Sequence, residues 1–145
     1  MHANFGRAAL GGFVGTLAMT AMMYMVAPMM GLHMDIAAML GSVLGGSWWA
    51  GMVMHFVNGT LIFPAIYAFA LVGILPGSSV VKGTLWGITL WVLAQVVVMP
   101  MMGGGLFSSA VGGLMAAIGS LVGHLLYGSI LGALAGESEP SVAHA

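Results

Sequence analysis

Only Arg7, Asp35, Lys82, Glu137 and Glu139 carry charge in this 145-residue chain, and the long intervals between them are apolar. With 3% charged and 61% hydrophobic residues, the chain is not an ordinary soluble domain, in which about 25% of residues are charged. It reads as an integral membrane protein, all-α, in which helices of ~20 apolar residues each cross about 30 Å of hydrocarbon. Two basic residues make neither a nucleic-acid surface nor a polybasic lipid patch. The absence of cysteine excludes disulfides, thiolate metal sites and thiol catalysis. Twenty-four glycines suit helices that approach closely in lipid, where packing drives association.

Four spans fit: Ala8 to Ala27, Trp48 to Ile74, Gly83 to Met99, and a fourth ending near Ala135 with an effective start at Ala117. The first is too long for a signal-peptide core and reads as a retained helix. Leu75-Pro76-Gly77-Ser78-Ser79 is a turn between the second and third. Arg7 precedes the first span and Lys82 the third, so both lie on one side. The positive-inside rule makes that side cytoplasmic and puts both termini inside. Residues 136–145 form a polar, acidic tail.

The chain reads as a single transmembrane domain over 1–145, a four-helix bundle built from two tandem two-helix repeats, about 7–74 and 82–135. Arg7 pairs with Lys82 at an offset of 75, Pro28-Met29-Met30-Gly31 with Pro100-Met101-Met102-Gly103 at 72, and His55 with His124 at 69. Proline and glycine end the first helix of each unit. A small-residue segment follows in each, headed by Asp35 or Ser108, both good N-caps for a short outer helix. Each unit has an even number of spans, so the copies are parallel and related by an axis along the membrane normal. Thr20 and Gln95, at an offset of 75, are then expected to face each other. Pro64 has Ala133 as its counterpart, so only the second span is expected to kink.

His55 and His124 are the central candidates, because an ionisable residue inside a span is costly and usually functional. Each is flanked one turn away by small residues, Gly51 and Gly59 in one copy, Ser120 and Gly128 in the other. Two imidazoles at one depth suit bis-histidine ligation of haem b, the small residues leaving room for the macrocycle. Asn58 and Tyr127 are candidates to bond a propionate or the second imidazole nitrogen. The bland reading is that small-xxx-small strips pack helices and the histidines bond between them. A second constellation gathers Met29, Met30, Met34, Met99, Met101 and Met102 on the outer side beside His33, soft ligands suited to Cu(I). Methionine is also a flexible apolar filler, which explains Met19, Met22, Met23 and Met25 within a span. No acidic or basic residue lies at mid-membrane, which argues against ion-coupled transport. No catalytic set is apparent, and no enzyme is expected.

Met19-Thr20-Ala21-Met22, Met34-Asp35-Ile36 with Leu40-Gly41, His55-Phe56 with Asn58-Gly59, Ile66-Tyr67-Ala68, Met99-Pro100-Met101 and His124-Leu125-Leu126-Tyr127-Gly128 follow one another in the order of a known pattern. In this the chain resembles a family of small four-helix bacterial membrane proteins known as domains of unknown function. The resemblance covers most of residues 7 to 135 and implies a membrane location and four spans, with no activity attached. The expected roles are a haem b-binding electron-transfer or accessory subunit, a cofactor-free accessory subunit of a larger membrane complex, or an outer-face Cu(I) binder.

Overall fold

A computed structural model describes residues 3–136; of the acidic tail expected over 136–145, residues 137–145 lie outside the described residues. Four helices are long and apolar enough to cross a membrane: α1 (Phe5–Met30), α3 (Trp48–Leu71), α4 (Ser79–Met101) and α5 (Gly113–Ala135). The short α2 (Ile36–Ser42) joins α1 to α3. The described residues contain no strand. Apolar side chains such as Met25, Trp49, Phe69, Ile74 and Leu114 stand outward and exposed, as lipid-facing residues do.

Asp35 caps α2 as expected, its carboxylate accepting the Ala38 amide at 2.9 Å. Ser108 does not act as its counterpart. Only one helical turn, Leu106–Ser108, forms there, and Phe107 and Ser108 both have positive φ. The Ser108 hydroxyl instead turns to Gln95, donating to its Oε1 at 2.8 Å. The small-residue run that follows joins α5, which starts at Gly113 rather than Ala117, with Gly112 and Gly113 both at positive φ.

Glycines set the helix spacing. A Cβ on Gly83 or Gly87 would overlap the α5 backbone at Gly128 or His124, and one on Gly12 would overlap Gly59 O and Pro64. Helices therefore touch backbone to backbone at these points. α5 packs closely on both α1 and α4, α1 also packs on α3, and α2 lies on α3 with Gly51 against Ala37 O. The α3–α4 interface is wider and filled by large side chains: Trp86 Nε1 donates to Phe63 O at 3.2 Å and Tyr67 Oη to Ser79 O at 3.2 Å.

Both basic residues lie at the end of the bundle that holds the termini. Arg7 Nε donates to Leu134 O at 3.0 Å near the end of α5, and Lys82 Nζ donates to Val72 O at 2.9 Å just past the end of α3. A cation on the last carbonyls of a helix satisfies acceptors left open by the chain and complements the helix dipole.

Three of the spanning helices depart from α geometry just before a proline. The segments Met22–Val26, Asn58–Ile62 and Ala94–Val98 form π turns, and Pro28, Pro64 and Pro100 each follow two residues later. Proline offers no N–H and its ring crowds the carbonyl four residues back, so the helix relaxes by a wider turn. A kink is expected at Pro64 alone, but α1 and α4 deviate in the same way before Pro28 and Pro100. α5, with Ala133 in place of a proline, is α-helical throughout.

Candidate functional site: the cavity between the helices

The π turns surround a cavity of about 310 Å³ that reaches from mid-bundle to the end capped by α2. Met22 and Met23 enter it from α1, Asn58 and Gly59 from α3, and Ala94, Gln95 and Val98 from α4, all from π turns. A π turn adds a residue to its coil and swings side chains off the regular helical face, which is why such bulges recur at functional sites. Ile36 and Leu40 of α2 close the far end.

His55 of α3 and His124 of α5 both line this cavity. Their hydrogen bonds fix where each ring carries its proton. His124 Nδ1 lies 2.8 Å from Ser120 O; a carbonyl only accepts, so Nδ1 is the donor and the neutral ring keeps a lone pair on Nε2. Thr20 Oγ1 donates to Thr16 O at 2.6 Å and lies 3.1 Å from His55 Nε2. The single hydroxyl proton is thereby committed, so His55 Nε2–H donates to Thr20 and its lone pair sits on Nδ1. Among the described residues neither lone pair has a hydrogen-bond partner.

Gln95, at 1% exposure, also lines the cavity. Its Oε1 accepts from Ser108, while no described residue accepts from its amide nitrogen. Thr20 and Gln95 do not meet as expected: Thr20 bonds across to His55 and Gln95 to the turn before α5. Tyr127 Oη donates to Gly59 O at 2.8 Å, tying α5 to α3 across the cavity wall. That commitment takes it away from the propionate role expected of it. Asn58 remains at the wall.

The small residues flanking the histidines serve packing rather than a macrocycle. Gly51 is occupied by the α2 backbone and Gly128 by Gly83 and Gly87 of α4, and neither lines the cavity. Gly59 and Ser120 do line it, but a Cβ on Gly59 would strike the Thr16 hydroxyl, and Ser120 offers its carbonyl to His124.

The expected copper set is dispersed. Met29 and Met101 are 86% and 76% exposed and stand outward, Met30 and His33 border a separate shallow recess, and Met102 lines the central cavity. The methionines that do converge are Met19, Met22, Met23, Met34, Met99 and Met102, including the in-span residues that sequence reading takes as filler. Among the described residues no three His, Cys, Asp or Glu side chains group as a metal site.

Asp35 ties the closure of the cavity together. Its carboxylate accepts from Tyr24 Oη of α1 at 2.5 Å and from Trp48 Nε1 of α3 at 2.9 Å, besides the Ala38 amide. Burial alone would raise its pKa, but the bonds from Tyr24, Ala38 and Trp48 hold the carboxyl below its ordinary value.

The architecture is that of a small polytopic α-helical membrane protein with an apolar interior cavity. The chain matches, over residues 2–145, a family described as a family of unknown function, DUF6789, and it belongs to that family. Neither the curated proteins nor the solved structures contain a significant match.

Proposed function

We propose that this protein is a membrane-embedded binding module, not an enzyme, and that its site is the cavity lined by His55 and His124. One observation carries the reading: two imidazoles on different helices line one apolar cavity, each with an uncommitted ring nitrogen. Ligand sites are apolar clefts of roughly 300–1,000 Å³ with a few converging polar groups, and this cavity matches that description. The positive-inside rule, applied to Arg7 and Lys82 at one end, puts the termini on the cytoplasmic side of a bacterial inner membrane and α2 on the outer side.

Haem b is the second reading, and the paired histidines favour it, because two imidazoles fill both axial positions. Against it, among the described residues no Lys or Arg lines the cavity to receive the propionates, and an unpaired carboxylate in an apolar interior is costly.

The test is native mass spectrometry of protein purified in mild detergent, with an absorption spectrum of the same sample, oxidised and reduced. A bound mass above that of the polypeptide, absent from the cavity-filling variant Ala94→Trp, supports the binding module. A Soret band lost in both His55→Ala and His124→Ala would identify haem. A bare polypeptide mass for the native chain, with Ala94→Trp at least as stable, would sink the binding reading altogether.

A further inference from the structure

Resting on the reading of the cavity as a binding site, the geometry points to its occupant: we propose a neutral lipophilic molecule with a hydroxyl head of the phenol or quinol type.

The first constraint is charge. Among the described residues no Asp, Glu, Lys or Arg lines the cavity, and both histidines are already bonded as neutral rings, through Nδ1–H in His124 and Nε2–H in His55. A charged ligand would meet no counter-ion there, and an isolated charge in such surroundings is strongly disfavoured. The second is size. A single metal ion would leave most of about 310 Å³ unfilled, whereas a small organic ring system is of the scale such cavities hold. The walls suit it, because the thioethers of Met19, Met22, Met23 and Met99 are flexible and make favourable contacts with aromatic rings.

The third constraint is the pattern of donors and acceptors. The unused imidazole nitrogens can only accept, and the unused Gln95 amide nitrogen can only donate. A hydroxyl meets both needs, donating to an imidazole nitrogen and accepting from Gln95. An ether or a ketone supplies only an acceptor and leaves both imidazoles unsatisfied. A buried polar group left without a partner costs free energy, so the cavity discriminates among lipophiles by this group.

The opposite repeat positions sharpen the assignment. His55 is braced by a side chain, Thr20, on another helix, whereas His124 is braced by the carbonyl of its own preceding turn. His124 Nε2 therefore keeps its place without help from α1, and we assign it as the principal acceptor.

The experiment compares decyl hydroquinone with its dimethyl ether as probes for the purified full chain in detergent, followed by tryptophan fluorescence and native mass spectrometry. Tighter binding of the hydroquinone by roughly tenfold or more is expected, with the preference reduced to near parity in His124→Leu and in Gln95→Leu. Because the comparison of the two probes on the native chain needs no variant, a variant that fails to fold leaves the test intact. Equal affinity for hydroquinone and ether would overturn the assignment. So would a co-purifying ligand identified as haem or a metal ion, although the binding module itself would then stand. Absence of any co-purified mass or probe binding would remove both.

Discussion

The α1–α5 and α3–α4 interfaces, which would correspond if sequence offsets of 75 and 69 pair the two halves of the chain, are built in opposite ways. At the first, Gly11 and Gly15 let α1 approach the α5 backbone at Leu131 and Tyr127. At the second, an offset of 75 puts Trp86 and Leu90 where α1 has those glycines, and the Trp86 indole holds α4 away from α3 while bonding to Phe63 O. By contrast, the α1–α3 and α4–α5 contacts both close on glycines that the offsets pair, Gly12 with Gly87 and Gly59 with Gly128. Even the cations correspond, Arg7 bonding near the end of α5 and Lys82 just past the end of α3. The difference teaches that glycines permit close approach at one interface while a tryptophan and a leucine keep the other apart. An unequal bundle has room for a cavity that uniform close packing would fill.

That contrast is broken most directly by Trp86→Ala. Removing a buried indole that spaces two helices is expected to destabilise by about 3–5 kcal/mol, measured by denaturant unfolding in detergent. Making the first interface resemble the second, Gly11→Leu introduces atoms where a Cβ already lies 3.1 Å from the Leu131 backbone. The expected cost is about 1–3 kcal/mol, and an unchanged midpoint would show that α1 and α5 do not need this close contact.

The outer segments differ too, since the first unit has a capped helix and the second a single turn. Asp35→Ala is expected to cost about 1–2 kcal/mol through the lost cap and to increase amide exchange across α2. The pH dependence follows from the lowered folded pKa of Asp35. Its contribution is present above the ordinary carboxylate value and is lost only as pH falls through the lower folded value. Protection of the Ala38 amide should thus be level from neutral pH down to roughly pH 5 and disappear in stronger acid; loss already near neutrality would refute the bond network.

Smaller effects probe the repeat itself. Tyr127→Phe removes the bond to Gly59 O and is expected to cost about 0.6–1.7 kcal/mol. The smallest concerns Thr60, whose buried hydroxyl has no partner among the described residues, while Ser129, 69 positions on, pairs with Thr84 at 2.9 Å. The offset of 75 pairs Thr84 with Ala9, so Ala9→Ser should stabilise by about 0.5 kcal/mol. A destabilising result would count against the pairing of these positions.

The sequence by itself determined the membrane class, the four spans and the cap at Asp35, because each depends on a local run of residues. Hydrocarbon length selects the spans, and a cap needs only an acceptor side chain three residues before an open amide. Pro64 marked a helix deviation and Pro28 and Pro100 the ends of helices, but the π turns before all three, and their shared orientation, were not evident. Ser108 misled for a physical reason: a residue suited to capping was drawn instead into a bond with Gln95, a partner outside its local segment. The pairing of His55 with His124 was legible as a repeat, and both do line one cavity. Only tertiary structure decided that their flanking glycines are spent on helix contacts, that Met19, Met22 and Met23 point inward, and which imidazole nitrogens stay unbonded. These outcomes depend on the rotation and spacing of helices far apart in sequence. Those are set by where glycine permits, and tryptophan prevents, close approach.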